Sequence, residues 1–326
     1  MEKKLIDDLY KSYNLQCYQV TPITGGWLNK KWKILTNKGE FLVKQFSHQR
    51  FTKEKLKLIE EALQRQIILA NAGVTCPSII QYKTKAIRFL DNETSYLVME
   101  FCLGEIKNSE TITISQIQSL GSTCGLMHKT FSLLPIDSVD GYPIDCQQVI
   151  DSLWNFFYTK SQNCSLVASS EYQHAVYSLE PILKQLNKDF FNKLPMGIAH
   201  EDFTFDNILF DSDGVSAVID FDRNCYSYLW HDIGRAIMCF AFDGKDLNNK
   251  KIAAFMKGYS QHLELTLSDI ISALWITCCI ETPWWIQPEF FLEDRGKAVR
   301  FKDEILWIHQ HWFELESILF SDRQSY

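Results

Sequence analysis

His200, Asp202, Asn207 and Asp220 are the residues whose types and spacing could carry chemistry. The first three lie in His200-Glu201-Asp202-Phe203-Thr204-Phe205-Asp206-Asn207, and the apolar runs 208–210 and 215–219 follow, separated by Asp211-Ser212-Asp213-Gly214. Two short β-rich runs around a turn ending in Asp-Gly predict a hairpin. Antiparallel pairing then sets Asn207, just before the first strand, beside Asp220, just after the second. An amide oxygen and a carboxylate at one hairpin end suit a hard cation such as Mg2+. Asp202 falls on the loop leading in, where a carboxylate beside a metal–phosphate site orients an attacking hydroxyl and accepts its proton. The chemistry indicated is phosphoryl transfer; an ordinary acidic loop and hairpin is the plain alternative.

Such a site needs a second half to hold phosphates, and the N-terminal third offers one. A short helix over 1–15 precedes strand patterns at 18–20, 31–35 and 40–46, with Thr24-Gly25-Gly26-Trp27-Leu28-Asn29 and the turn Thr36-Asn37-Lys38-Gly39 between them. This reads as an antiparallel meander. Gly25 and Gly26 would let backbone amides approach a phosphate, although adjacent glycines also make a plain turn. Lys44 sits in the third strand among Phe41, Leu42, Val43 and Phe46. It either points to solvent or holds nucleotide phosphates as a fixed charge, and the hairpin downstream favours the second. Leu56, Ile59, Leu63, Ile67 and Ala70 then recur at helical spacing, with Gly73 as the stop. Glu60 and Glu61 lie on that helix, where either reaches back to Lys44 or belongs to a solvated face. Strand patterns at 86–90 and 95–101 lead to a composition break after Gly104. We place a boundary there, giving lobes 1–103 and 104–326.

The second lobe reads as helical. Ile117, Leu120, Cys124, Met127 and Phe131 form one apolar stripe carrying His128, taken as structural. Further helical patterns cover 149–188, 232–240, 249–263 and 269–281, with Ser268 as N-cap of the last. The chain has 326 residues, 46% of them hydrophobic, and a formal net charge of -7, which argues against a nucleic-acid partner. No secretory signal is evident, and the apolar stretch 270–280 is too short to span a bilayer. The 10 cysteines include no Cys-x-x-Cys pair and read as reduced thiols of a cytoplasmic protein.

The order of these features (glycine turn, strand lysine, helix with glutamate, linker strand, helical lobe, His-x-Asp-x4-Asn and a later Ile-Asp-Phe-Asp) resembles the aminoglycoside phosphotransferase and choline kinase superfamily. That superfamily also holds homoserine-kinase-like and spore-coat-kinase-like members. The resemblance runs from about residue 24 to 240. It implies an α+β, protein-kinase-like bilobal fold with an N-terminal antiparallel sheet plus helix and a larger, mainly helical C-terminal lobe. It further implies that Asp202 orients the acceptor hydroxyl, His200 braces the catalytic loop, and Asn207 and Asp220 hold Mg2+. Lys44 would contact the ATP phosphates with Glu61, or less directly Glu60, as its partner. The backbone from Glu100 to Cys102 would hold the adenine, and Asp232 would be a structural aspartate of the following helix. Two departures stand out: Glu201 replaces the usual glycine between histidine and aspartate, and the helix glutamate is displaced from its usual offset.

For the acceptor, the C-terminal lobe supplies Asp206, Asp222, Trp230, Glu281, Trp284, Trp285, Glu289 and Asp294. Carboxylates with indoles suit a cationic small molecule such as an amino alcohol or aminoglycoside; core packing is the alternative for Trp284 and Trp285. A homoserine-type acceptor would instead draw on Arg223, Arg235 or Arg295. A catalytically degenerate binding or scaffold protein on the same fold is the rival from another class. A protein kinase is a third, disfavoured because no activation-loop-length segment ending in Ala-Pro-Glu follows Asp220.

Overall fold

The computed structural model describes residues 1–24, 29–135, 146–292 and 297–320. Gly25 and Gly26, Asp294 and Arg295 lie outside them. Helix α1 (Lys3–Tyr13) leads into β1 (Cys17–Ile23), β2 (Lys30–Thr36) and β3 (Gly39–Phe46), followed by α2 (Lys53–Asn71), β4 (Ile87–Phe89) and β5 (Ser95–Glu100). The strands form one antiparallel sheet in the order β1-β2-β3-β5-β4. Its two faces are covered by different helices, as period-two alternation requires. Val43, Ile34, Tyr96 and Val98 pack on Leu5 and Leu9 of α1, while Phe46, Leu97 and Met99 pack on Leu56, Ile59 and Leu63 of α2. Thr52 caps α2 by accepting from the Lys55 amide, and Gly73 (φ +84°) takes the left-handed conformation beyond the helix end.

Past Gly104 the chain makes β6 (Glu105–Ile106), then α3 (Ile114–Phe131), α4 (Cys146–Asn163), α5 (Ser170–Tyr177), α6 (Leu179–Gln185) and α7 (Lys188–Asn192). Strands β7 (Met196–Ala199), β8 (Ile208–Phe210), β9 (Val215–Val218) and β10 (Cys225–Tyr228) carry the central motif. Next come α8 (Leu229–Ala241), α9 (Asn249–Tyr259), α10 (Leu267–Trp285), α11 (Glu289–Leu292), α12 (Lys297–His311) and α13 (Leu315–Phe320). One continuous apolar core joins these helices. Helices α3 and α9 meet backbone to backbone: a Cβ on Gly121 would stand 2.0 Å from the Phe255 carbonyl oxygen, and one on Gly258 1.9 Å from that of Gln118.

The expected hairpin is present, with Ile208 opposite Val218. The expected cap of α10 is not. Thr266 rather than Ser268 is the N-cap, in a reciprocal capping box with Asp269, so the helix begins earlier than its apolar run.

Candidate active site

The hairpin and the sheet bring the central residues together. The Ile219 amide donates to the Asn207 carbonyl (2.9 Å), and the next residue, Asp220, adopts a left-handed backbone (φ 66°) that turns its carboxylate toward the sheet. There Lys44 Nζ donates to Asp220 Oδ1 at 2.7 Å and to Asp222 Oδ2 at 2.6 Å. Lys31 Nζ reaches Asp220 Oδ2 at 3.5 Å. Lys31 faces Lys44 across β2 and β3, and directly opposed residues of an antiparallel pair share a face. Two cations of one sheet therefore meet two carboxylates of one hairpin. Burial opposes ionisation of Asp220, but Lys44 and Lys31 outweigh it and hold the carboxyl well below its usual range. Asp222 is shifted upward, by burial and by its proximity to Asp220, against the pull of Lys44.

The expected Lys44–Glu61 pair does not form. Glu60 is turned to the sheet edge, accepting from the Ala86 and Ile87 amides at 3.0 and 2.7 Å, and Glu61 lies 3.7 Å from Lys57 along the helix. Asp222 occupies the position of counter-charge instead. Arg65 of α2 reaches across to Asn224, donating to its side chain at 2.6 Å and its carbonyl at 2.8 Å.

The turn carrying Asp202 is gripped from below. Asp232, fully buried in the first turn of α8, accepts from the His200 and Glu201 amides at 2.6 and 3.0 Å and meets His128 Nε2 at 3.1 Å. His128, expected to be structural, also meets the Tyr259 hydroxyl at 2.9 Å. The His200 ring accepts from the Asp202 amide through Nδ1, so Nε2 carries the proton it donates to the Ile219 carbonyl. Its face packs on Phe221, 4.5 Å between centroids. The Asn207 amide group donates to the Asp202 carbonyl at 2.9 Å. Its donor end is thereby committed, which leaves its oxygen for a cation.

At the linker, the Glu100 and Phe101 amides are taken by the Ser78 and Glu40 carbonyls, whereas the Cys102 amide makes no hydrogen bond among the described residues. Of the acceptor candidates, Trp230 is core, packed on Tyr259, and Trp285 lies on Phe301 with its indole N–H donated to Glu281. Trp284 is 69% exposed. Arg235 is buried between Glu281 and Glu304, each 3.1 Å away, and so is already neutralised; Arg223 is exposed.

Residues 19–265 match the phosphotransferase enzyme family. The chain belongs to it. This phosphotransferase is 26% identical over 241 residues to the homoserine kinase of Brucella ovis, covering 73% of this chain and 68% of that one. The Brucella canis homoserine kinase matches over the same extents. Among solved structures, a microcompartment-associated aminopropanol kinase superposes with a TM-score of 0.65 at 14% identity, over 97% of this chain and 99% of that one. An amicoumacin kinase in complex with AMP-PNP and Ca2+ gives 0.63 at 16%, over 97% and 95%. Spectinomycin phosphotransferase in complex with ADP gives 0.61 at 15%, over 97% and 98%. At these identities the likeness is one of fold, the kinase-like fold the sequence implies. The protein is a small-molecule kinase, a phosphotransferase with an alcohol group as acceptor. No described helix is long and apolar enough to cross a membrane.

Three features of the site escaped the sequence reading. Lys31 was recoverable: the turn at 36–39 sets a register that places 31 opposite 44. The role of Asp222 toward Lys44 and the Arg65–Asn224 clamp join residues 178 and 159 positions apart, and no local pattern carries them.

Proposed function

We propose that the protein transfers the γ-phosphoryl group of ATP to a hydroxyl of a small molecule, with an amino alcohol or aminoglycoside-type compound as acceptor. Residues 1–103 would bind the nucleotide and 104–326 would carry catalysis and the acceptor. The observation that supports this best is the convergence of Lys44 on Asp220 at 2.7 Å, a sheet cation meeting the carboxylate that follows the hairpin.

The residues fit Mg2+. Asn207, its donor end committed to the Asp202 carbonyl, offers its oxygen and Asp220 a carboxylate kept ionised, two hard donors of the kind this ion takes along with water and phosphate oxygens. When bound, such an ion neutralises charge on the transferring phosphoryl group.

Lys44 holds the phosphates on a rigid strand, and the free Cys102 amide, next to Glu100, is placed to receive the base. Asp202 accepts the proton of the acceptor hydroxyl and aims it, while His200 and Asp232 hold its backbone. Most of the rate then comes from positioning and charge stabilisation.

A homoserine-type acceptor is the second reading, favoured by the Brucella relatives. The competing scaffold reading is weakened because Lys44, Asp202, Asn207 and Asp220 are all retained. The test is ADP release with Mg-ATP across amino alcohols, aminoglycosides, homoserine and sugars, with Asp202→Ala alongside. Turnover on one class, abolished in Asp202→Ala while nucleotide still binds, is expected. Nucleotide binding without turnover on any acceptor would favour the scaffold, and full activity in the variant would remove Asp202 from the mechanism.

A further inference from the structure

Glu201 stands immediately before Asp202 with φ 65°, in the left-handed region. A non-glycine residue is strained there, so its surroundings must hold it. Asp232 grips the backbone, and the adjacent His231 faces the side chain, its Nδ1 3.5 Å from Glu201 Oε1. That distance is long for a hydrogen bond and within ion-pair range. His231 Nε2 meets Glu281 Oε1 at 3.1 Å, and Glu281 Oε2 lies 3.1 Å from Arg235 Nη1. Arg235 Nη1 lies 3.1 Å from Glu304 Oε2, and Glu304 Oε1 2.9 Å from Arg300 Nε. Signs alternate along the whole chain, from the catalytic turn through α8 and α10 to α12. Its interior members are closed to water: the side chains of His231, Arg235 and Glu304 are 5%, 2% and 0% exposed. Both His231 nitrogens face carboxylates. Burial alone would lower its pKa, but Glu201 and Glu281 raise it to about 10.

We propose that Glu201 and His231 form a positioning pair that fixes the peptide ahead of Asp202, coupling the packing of α10 and α12 to the aim of that carboxylate. The inference rests on the reading of Asp202 given above. Asp202 is already restrained by its amide on His200 and its carbonyl on Asn207. Asp232 holds the amide of Glu201 and His200 the amide that follows it, so the Glu201 side chain is the further tie of this turn to α8 and, through His231, to α10. A misplacement of about 1 Å at a reacting group costs roughly a hundredfold in rate, so a small release of this turn is measurable.

The experiment compares Glu201→Gln, Glu201→Gly, His231→Gln and the double variant Glu201→Gln/His231→Gln, using ADP release with the best acceptor of the panel. Glu201→Gln is expected to lower kcat about ten- to a hundredfold with KM for ATP unchanged. Glu201→Gly, relieved of strain and so expected to fold, should be as slow or slower. The double variant should be no slower than the worse single. Wild-type kcat in both Glu201 variants, or strictly additive losses, would overturn the pair. Asp202→Ala separates the two readings: if it is inactive while Glu201→Gln is normal, only this proposal fails, and if it is active the reading of Asp202 fails first.

Discussion

Two groups of opposed charges lie within the same molecule and are built differently. The group between sheet and hairpin (Lys31, Lys44, Asp220, Asp222) spans two parts of the chain and reaches solvent through Lys31 and Asp220, 20% and 29% exposed, while Lys44 is 3% exposed. The group beneath the Asp202 turn lies within the helical part; Arg235 and Glu304 in its interior are 2% and 0% exposed, and its last member, Arg300, is 28% exposed. Charges in reach of water can trade one partner for another at small cost, because solvent covers the gap between partners. Charges without water cannot, because a lost partner leaves a bare ion. The first arrangement suits groups that hand themselves over to a ligand. The second suits a support that stays.

Breaking the enclosed group should give the largest loss of stability. Arg235→Met strands Glu281 and Glu304, and a loss of about 3–5 kcal/mol in urea unfolding is expected. A loss below about 1 kcal/mol would erase the distinction between the groups. Asp220→Ala should do the opposite, weakening Mg-ATP binding at least about tenfold (about 1.4 kcal/mol) by calorimetry while the unfolding midpoint barely moves. An unchanged dissociation constant would remove Asp220 from the nucleotide site.

His231 gives the pH test. Its pKa rises from 6.5 in the open chain to about 10 in the fold. Between those values the folded chain keeps a proton that the unfolded chain has released. Stability from this group is therefore complete below about 6.5 and is lost as pH climbs through about 10, at no more than about 1.4 kcal/mol per pH unit. His231→Gln should flatten that decline in denaturation series from pH 6.5 to 10; an unaltered slope would mean that the imidazole is not protonated in the fold. The smallest effect belongs to Lys31→Ala, a change of about 1 kcal/mol or less in nucleotide affinity that fades with added salt. A loss as large as that of Asp220→Ala would place Lys31 among the principal contacts.

The same contrast explains what was legible in the sequence. Lys44, Asn207 and Asp220 were proposed from strand periodicity and a hairpin turn, which are local signals; the hairpin formed, and Lys44 and Asp220 meet at 2.7 Å. Asp202 and His200 followed from spacing within eight residues. Helix α2 carries two glutamates, but the sheet-edge amides of Ala86 and Ile87 take Glu60, Glu61 lies by Lys57, and Lys44 meets Asp220 and Asp222. Glu281, Trp230 and Arg235 were offered as acceptor candidates, and the partners they meet instead are set by how α8, α9, α10 and α12 pack. Helix packing brings together residues with no sequence relation, so the enclosed chain of charges left no trace in the pattern.

The Arg65–Asn224 clamp has a kinematic consequence. Helix α2 is fastened to the sheet through Glu60 and to the segment after the hairpin through Arg65, with the Thr75 carbonyl accepting from Val218 beyond its end. A second fastening, the Ser216 hydroxyl on the Leu103 carbonyl, lies at the linker. With the Lys44–Asp220 and Lys44–Asp222 ion pairs, these fastenings tie α2, the sheet and the hairpin at several separate points, so sliding one across another would require a fastening to break.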